Sequence, residues 1–322
     1  MATYKDIHGF KIQNVSSDPP TSVAGDLWYN STSGDLKVDT GTLSVAWATG
    51  GSMSRPAGRR AMGDTGTQTA ALAFAGRSPY VTHTESYTGT SWSEVGDINT
   101  VGQGLAGAGT NTAALGFGGY RPGGQQDLTE TWNGSNWTEV NDLNTGRFHL
   151  AGCGASNTAC LAFGGIPAGA VTENWNGTNW TEVNDLNTPR YFLAGAGTNT
   201  AALGFGGTDV VAVTELWNGT NWTEVNDLNT ARKALGGGGT STSALGFGGQ
   251  TPSLTAITES WNGTNWTEVA DMGTARYALG GAGSSNVSAL AFGGESSGAG
   301  AAGTAATEEF SQTGGVQTID AS

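Results

Sequence analysis

The apolar residues of this chain occur in short runs that are separated by glycine, asparagine and threonine. The segment from Arg190 to Val225 shows the pattern, and its four runs are Leu193–Gly197, Thr200–Gly207, Val213–Trp217 and Trp222–Val225. Short runs rich in threonine, valine and aromatic residues, bounded by turn-forming residues, are typical of β-strands. The Asn218-Gly219 pair predicts a tight hairpin turn, because both residues tolerate a positive φ. No window has the 3.6-residue period of a helix, so the sequence predicts strands alone.

Two sequence markers recur along the chain with nearly the same spacing, about 43 residues. The phenylalanine of Leu-x-Phe-Gly-Gly, or of a close variant, stands at Phe74, Phe117, Phe163, Phe205, Phe247 and Phe292. The tryptophan of Asn-Trp-Thr-Glu-Val, or of a related sequence, stands at Trp47, Trp92, Trp137, Trp180, Trp222 and Trp266. Two independent markers with a common period indicate an internal repeat of one supersecondary unit.

Four short antiparallel strands, repeated six times, predict an all-β fold: a six-bladed β-propeller with four-stranded antiparallel blades. Glycine and alanine dominate the first run of each repeat, which favours a place near the propeller axis, where backbones crowd. The last repeat ends at Thr307–Phe310 without a tryptophan-bearing fourth strand. The N-terminal segment around Leu43–Ala48 is therefore predicted to complete the last blade, a closure that hides open sheet edges.

These boundaries predict an N-terminal arm and hairpin (1–38), a propeller (39–310) and a C-terminal tail (311–322). Leu27–Asn30 and Asp35–Val38, joined by Ser-Thr-Ser-Gly, have the pattern of a hairpin. Leu36–Asp39 stays open as a rival third strand ahead of Trp47.

Repeated tryptophans and arginines are predicted to have structural roles. Each Asn-Gly hairpin is flanked by a tryptophan pair, which we expect to form a cross-strand pair that packs between blades. These pairs are Trp132/Trp137, Trp175/Trp180, Trp217/Trp222 and Trp261/Trp266. The repeat arginines are Arg59, Arg147, Arg190, Arg232 and Arg276, with Gly102 in the place of a sixth. We expect each to contact a carboxylate and hold the blades together, from either the Glu of Thr-Glu-x-Trp or the Asp five residues earlier.

Composition and charge make some classes of function less favourable for this chain. The chain has 322 residues, of which 54 are glycine, and it has a net charge of −14. Its apolar fraction of 37% is enough for a core, and its acidity disfavours nucleic-acid partners. No apolar run has the length of a membrane span, so no membrane insertion is expected. The polar N-terminus lacks an apolar secretion core, so we expect synthesis in a cytoplasm without signal-peptide secretion.

The sequence predicts no catalytic, metal or cofactor site. Its histidines are His8, His83 and His149, in unrelated segments without metal-ligand spacing. Paired carboxylates recur in every repeat, whereas a catalytic pair is expected once. Cys153 and Cys160 replace alanine on facing strands, and small core residues and a cross-strand disulfide are both open. The expectation is a protein that is not an enzyme.

One side of the predicted disk has diverged among the copies. In a four-stranded meander the 1–2 and 3–4 turns share one side (the turn side), and the 2–3 and 4–1 loops share the other (the loop side). The turns are nearly constant, whereas the loops differ in length and composition. The loop side is therefore a hypothetical recognition surface, with drift in unrestrained loops as the alternative. Its candidate residues are Tyr80, His83, Tyr120, Arg121, Phe148, His149, Tyr191, Phe192, Lys233 and Tyr277.

The repeats resemble kelch repeats, because a Gly-Gly ends the second strand, tryptophan marks the fourth and arginine opens the next repeat. The resemblance covers residues 43–310 and departs from the common pattern in its short unit and its Asn/Thr-rich hairpins. The sequence Trp-Asn-Gly-Thr-Asn-Trp-Thr-Glu-Val is also similar to repeats in structural proteins of marine tailed bacteriophages. The segment Gly25–Val38 likewise resembles hairpins of phage tail fibres.

This resemblance implies a non-enzymatic structural protein of a phage virion, a tail fibre or surface adhesin that contacts the host through the loop side. The alternatives are a virion decoration or connector protein without receptor binding, and a glycan-processing enzyme on a propeller scaffold. The expected partners are other virion proteins, bound through the N-terminal arm, and a host surface glycan or protein. The protein is expected to be multimeric in the particle.

Overall fold

The computed structural model describes residues 12–17, 19, 25–39, 44–55, 59–77, 79–297, 303–313 and 316–318. Within these ranges the chain forms strands, turns and loops, and no helix is present. Most of the predicted N-terminal arm, including His8, lies outside the described residues, as does Leu43.

The strands are numbered in chain order. They are β1 (Gln13–Val15), β2 (Leu27–Asn30), β3 (Asp35–Asp39), β4 (Ser44–Thr49), β5 (Gly63–Thr67), β6 (Ala70–Phe74), β7 (Thr84–Tyr87), β8 (Trp92–Glu94), β9 (Ala106–Thr110), β10 (Ala113–Phe117), β11 (Tyr120–Arg121), β12 (Gly124–Gln125), β13 (Thr129–Trp132), β14 (Trp137–Val140), β15 (Ala151–Ser156), β16 (Ala159–Phe163), β17 (Thr172–Trp175), β18 (Trp180–Val183), β19 (Ala194–Thr198), β20 (Ala201–Phe205), β21 (Thr214–Trp217), β22 (Trp222–Val225), β23 (Gly236–Thr240), β24 (Ser243–Phe247), β25 (Thr258–Trp261), β26 (Trp266–Glu268), β27 (Gly280–Ser285), β28 (Ser288–Phe292), β29 (Thr307–Thr313) and β30 (Val316–Thr318).

The chain divides into two compact units, one of residues 1–45 with 311–322 and one of residues 46–310. The first unit contains a sheet of order β1-β2-β3-β30. The hairpin predicted across Ser-Thr-Ser-Gly is present as β2 and β3, with Leu27 opposite Val38. The segment expected to be a separate tail contributes β30, which pairs antiparallel with β3.

The second unit has a propeller-like all-β architecture built on four-stranded antiparallel sheets. We number them sheet 1 (β5–β8), sheet 2 (β9, β10, β13, β14), sheet 3 (β15–β18), sheet 4 (β19–β22), sheet 5 (β23–β26) and sheet 6 (β27, β28, β29, β4). In each sheet the first strand is followed in space by the second, third and fourth. In sheet 6 the fourth place is taken by β4, from the N-terminal end of the chain.

Aromatic rings form the core between consecutive sheets. The second strand of each sheet ends in a buried phenylalanine. Its ring contacts the tryptophan of the fourth strand in the next sheet. The pairs are Phe74–Trp137, Phe117–Trp180, Phe163–Trp222, Phe205–Trp266, Phe247–Trp47 and Phe292–Trp92, with ring centroids 4.8–5.1 Å apart. Such tilted contacts add to the burial of large apolar area. The series starts at sheet 1 and returns to it from sheet 6.

The same indoles also form hydrogen bonds between sheets. Each donates from Nε1 to the Oγ1 of the threonine that opens the third strand of the preceding sheet, at 2.9–3.1 Å. The donor–acceptor pairs are Trp137–Thr84, Trp180–Thr129, Trp222–Thr172, Trp266–Thr214, Trp47–Thr258 and Trp92–Thr307. A buried indole N–H needs an acceptor, and the repeated threonine supplies it at every junction.

The other indole of each hairpin completes its own sheet. Trp217 lies opposite Trp222 in the β21–β22 ladder, with ring centroids 5.4 Å apart. Its Nε1 donates to the carbonyl oxygen of Asn199, in the 1–2 turn of the same sheet, at 3.0 Å. Equivalent indole pairs occur at Trp132/Trp137, Trp175/Trp180 and Trp261/Trp266.

Candidate binding site

The two loops of the loop side are hydrogen-bonded to each other within a repeat. Phe148, in the 4–1 loop, forms an antiparallel bridge with Ile166, in the 2–3 loop, and Tyr277 does so with Glu295. The Tyr191 N–H donates to the Thr208 hydroxyl, and the Thr208 N–H donates to the Tyr191 carbonyl oxygen. In the repeat of sheet 2 the 2–3 loop also forms the hairpin β11–β12, which the sequence does not predict.

A circuit of backbone hydrogen bonds lies at the inner end of the 4–1 loops. Each first strand is preceded, two positions earlier, by a residue with φ between 47° and 66°. This is the left-handed region, which residues other than glycine avoid. Each of the six residues donates its N–H to the carbonyl oxygen of the equivalent residue in the preceding repeat, at 2.7–2.9 Å. The donor–acceptor pairs are Gly104–Ala61, His149–Gly104, Phe192–His149, Ala234–Phe192, Ala278–Ala234 and Ala61–Ala278. We call these six residues the amide circuit.

Two neighbouring positions of the amide circuit carry aromatic rings, and these belong to a longer aromatic arc. His149 and Phe192 stack with centroids 3.9 Å apart and an interplanar angle of 31°. Phe148 contacts both His149 and Tyr120, at centroid distances of 4.9 and 5.1 Å, and Tyr191 contacts Phe192 at 5.4 Å. All five rings are half-buried. The structure therefore brings together five predicted candidates from three repeats.

The remaining candidates lie outside this arc. The Arg77 guanidinium carbon lies over the Tyr80 ring, 5.9 Å from its centroid. His83 Nδ1 lies 3.5 Å from a carboxylate oxygen of Asp97. Arg121 is exposed in the β11–β12 hairpin, and Lys233 is half-buried beside Gln250.

Tyr277 belongs to a separate polar cluster on the loop side. Its hydroxyl accepts a hydrogen bond from Arg60 Nη1 and donates to Glu295 Oε2, each at 3.0 Å. Arg60 also pairs directly with Glu295. Arg60 and Glu295 are not among the predicted candidates, because loop divergence alone does not show which side chains of the first and last repeats meet.

The five repeat arginines form buried ion pairs with the glutamate of Thr-Glu-x-Trp, and not with the earlier aspartate. The pairs are Arg59–Glu85, Arg147–Glu173, Arg190–Glu215, Arg232–Glu259 and Arg276–Glu308, at 2.9–3.0 Å. Burial lowers the pKa of each guanidinium, and the paired glutamate opposes that shift. The aspartate instead caps the third strand, as when Thr214 N–H donates to Asp227.

Each ion pair joins the 4–1 loop that enters a sheet to the third strand of that sheet. Arg190 and Glu215 both belong to the repeat of sheet 4. The same loop is held a second time by Glu215 Oε2, which accepts hydrogen bonds from the backbone and side chain of Asn187 at 2.8 Å. Asn187 in turn donates to the carbonyl oxygen of Trp222 in sheet 4, at 3.0 Å. The glutamate, with its arginine, holds the incoming loop in place.

Gly102 leaves the corresponding glutamate without an arginine. Glu130 is buried and accepts hydrogen bonds from Asn99 and from the Thr100 backbone, at 2.7–2.9 Å. A small void of about 10 Å³, with room for one water, lies beside Gly102 and Glu130.

Two cavities lie along the first strands of the six sheets. The first, about 120 Å³, reaches the amide circuit and is called the loop-side cavity. The second, about 380 Å³, reaches the 1–2 turns and is called the turn-side cavity. Both are lined by the second residue of every first strand, namely Asp64, Gly107, Gly152, Gly195, Gly237 and Gly281.

Asp64 and His149 are lining residues with shifted ionisation. Burial raises the pKa of Asp64 to about 7, against one opposing hydrogen bond from Gly281 N–H at 3.1 Å. Burial lowers the pKa of His149 to about 4, so its imidazole is neutral at pH 7. The loop-side cavity is therefore lined by both a titratable carboxylate and a neutral imidazole.

The described residues contain no group of three histidine, cysteine, aspartate or glutamate side chains that could hold a metal ion. Cys153 and Cys160 are free and buried, so the disulfide left open by the sequence is not formed. Burial raises the pKa of both thiols, that of Cys160 to about 12. In the part of the chain described, no helix is long and apolar enough to cross a membrane.

The chain matches no protein-family model, and no curated protein shows a significant sequence match.

Proposed function

We propose that the six sheets are the blades of one closed six-bladed propeller, and that this propeller is a non-enzymatic binding module of a bacteriophage particle. It contacts the host surface through the loop side, and the aromatic arc (Tyr120, Phe148, His149, Tyr191 and Phe192) is the anchor of that contact. The observation that carries the proposal is the arc itself, in which half-buried rings from three repeats meet on the divergent side.

Closure is supported by three independent series of contacts. The amide circuit, the Phe–Trp contacts and the Trp–Thr hydrogen bonds each contain six members, and each returns from sheet 6 to sheet 1. The place of β4 beside β29 gives sheet 6 its fourth strand. A closed ring covers both faces of every blade, which agrees with the burial of the second-strand phenylalanine in all six sheets.

A binding role for the loop side is supported by its contrast with the turn side. Aromatic residues supply large contact areas at low entropic cost and are enriched at binding hot spots. The turn side offers Asn-Gly hairpins, whose side chains are engaged in their own turns, as when Asn218 Oδ1 accepts from Thr220 and Asn221 N–H. The side on which the loops diverge is thus also the side whose aromatic residues can anchor a partner.

The virion setting is supported by the resemblance of the repeats and of Gly25–Val38 to phage structural proteins. On this proposal the unit of residues 1–45 and 311–322 joins the particle, and the propeller is left free to bind. Deletion of residues 1–38 should then leave a folded propeller that no longer enters particles, as checked by mass spectrometry of purified virions. Particles that retain the shortened protein would contradict the anchoring role.

The binding role is tested with the double variant Tyr191→Ala/Phe192→Ala. Adsorption of particles to host cells should fall at least about tenfold, because both rings are lost from the arc. The matched control is Val287→Ala, which removes an exposed apolar side chain from the turn side and should leave adsorption unchanged. Equal adsorption of the double variant and the wild type would refute the receptor role and favour a decoration or connector protein. Release of oligosaccharide from host polysaccharide would instead indicate an enzyme.

A further inference from the structure

Asp64 breaks the equivalence of the six first strands. Its counterparts in the other five repeats are all glycine: Gly107, Gly152, Gly195, Gly237 and Gly281. A Cβ at any of these glycines would lie 2.3–2.9 Å from a neighbouring carbonyl or phenylalanine ring. The position is therefore one where the fold admits a side chain only at the first copy.

Asp64 also places a carboxylate in the cavity walls, where the described part of the chain supplies no cationic side chain to balance it. Neither cavity is lined by an arginine or a lysine among the described residues. The hydrogen bond shown for its carboxylate is the one from Gly281 N–H, at 3.1 Å. Asp64 is half-buried in the walls of both cavities, and a cation bound there would be attracted by its unbalanced carboxylate.

The wall above Asp64 is asymmetric in a way that suits an apolar substituent. Within the amide circuit, Ala61, Gly104, Ala234 and Ala278 are small, and they leave the loop-side cavity open. His149 and Phe192 form a stacked wall on one side of that opening. Apolar methyls and methylenes of alanine and leucine complete the lining.

We propose that the loop-side cavity binds a primary alkylammonium ion, with its ammonium group at Asp64 and its alkyl chain against the His149–Phe192 wall. The volume of about 120 Å³ is close to that of a cavity that holds benzene, so a chain of about four carbons fits. An ammonium group donates hydrogen bonds and compensates the carboxylate, whereas the neutral imidazole of His149 does not repel it. This inference does not depend on the virion setting.

The proposal predicts a pH dependence. Asp64 accepts a proton with a pKa of about 7, and the protonated carboxyl group has no negative charge to attract the ammonium group. The titratable side chains that share the cavity walls are His149 and Cys153, and neither is charged between about pH 6 and pH 8, because burial holds the pKa of the imidazole at about 4 and raises that of the thiol. Affinity should therefore fall as the pH is lowered from about 8 to about 6.

The test uses the full chain and n-butylammonium chloride, with n-butanol as the neutral isostere. Binding is followed by the amide NMR signal of Gly281 and by calorimetry at about pH 8. The wild type should bind the ammonium ion at least about tenfold more tightly than the alcohol, a ratio of dissociation constants that a charge contact readily supplies. Asp64→Asn and Asp64→Gly should lose this preference, and the exposed loop variant Asp209→Asn should keep it.

Three results would overturn the proposal. The first is equal affinity for n-butanol, which would make the site an apolar cavity only. The second is unchanged ammonium binding in Asp64→Asn, and the third is complete displacement of n-butylammonium by an equal concentration of K⁺. Phe192→Ala separates the two parts of the site, because it should weaken n-butylammonium more than it weakens ammonium chloride.

Discussion

Sheets 2 and 4 are built from almost the same sequence, but they hold a buried carboxylate in different ways. In sheet 4, Arg190 contacts Glu215 at 2.9 Å and also donates to the carbonyl oxygens of Gly206 and Val213. In sheet 2, Gly102 replaces the arginine, and Glu130 keeps only the hydrogen bonds from the incoming loop. The shared part is the loop contact, so holding the loop is the constant task of this glutamate. The arginine adds charge compensation and satisfies carbonyl oxygens.

The largest effect is expected from breaking the pair in sheet 4. Arg190→Met leaves Glu215 buried without a cation, and the free energy of unfolding should fall by about 3–5 kcal/mol. Urea denaturation followed by tryptophan fluorescence measures the change. The control is Arg121→Met, which removes an exposed arginine and should stay within about 0.5 kcal/mol of the wild type. Similar losses in the two variants would mean that the pair adds nothing beyond surface charge.

Asp64 extends the comparison to a carboxylate that has neither an arginine nor a full set of N–H donors. Its pKa of about 7 in the folded chain lies above the value of 3.8 for a free side chain, so folding favours the protonated form. The stability that this difference in pKa contributes is present at low pH and is lost as the pH rises toward and through 7.

Asp64→Asn should therefore be more stable than the wild type by about 2–4 kcal/mol at about pH 8, since raising a pKa by ~1 on folding corresponds to ~1.4 kcal/mol. The difference should shrink as the pH falls and vanish near pH ~4. Denaturation curves at several pH values, without added amine, measure it. A difference that does not change with pH would show that the aspartate is not the titrating group.

The smallest effect is expected at Glu130. Glu130→Gln loses one loop hydrogen bond, and because removal of a charge that no arginine balances partly offsets this loss, it should cost only about 1–2 kcal/mol. Glu215→Gln, the matched change in sheet 4, also leaves Arg190 buried without its anion and should cost clearly more. Equal costs in urea denaturation would show that the arginine has no special relation to its glutamate.

The repeat period was sufficient to predict the four strands of each repeated sheet and the indole pairs, but not the β11–β12 hairpin. The pattern of Thr-Glu-x-Trp and Asn-Gly places Trp217 and Trp222 on facing strands, and the structure pairs them. The partner of Arg190 could not be decided in the same way, because Glu215 and the earlier aspartate both recur at a fixed spacing. Burial distinguishes the two carboxylates: Glu215 is enclosed, whereas Asp185 is exposed beside the first residue of the third strand in the preceding sheet.

The binding side was less accessible to sequence reasoning. His149 and Phe192 stack across two repeats, and both have a left-handed backbone although neither is a glycine, so the sequence does not mark either position. Asp64 was overlooked because a single carboxylate in a strand has no spacing to reveal it. Alignment of the copies within the chain carries the one available signal, an aspartate where five glycines stand.

Hydrogen exchange of the amide circuit tests the closed ring most directly. The N–H groups of Ala61, Gly104, His149, Phe192, Ala234 and Ala278 donate to equivalent carbonyls, so all six should show similar protection in native-state NMR exchange. The bond from Ala61 to Ala278 is the one that joins the first repeat to the last. If Ala61 exchanges as fast as an exposed amide while the other five are protected, the ring is open and the account is wrong.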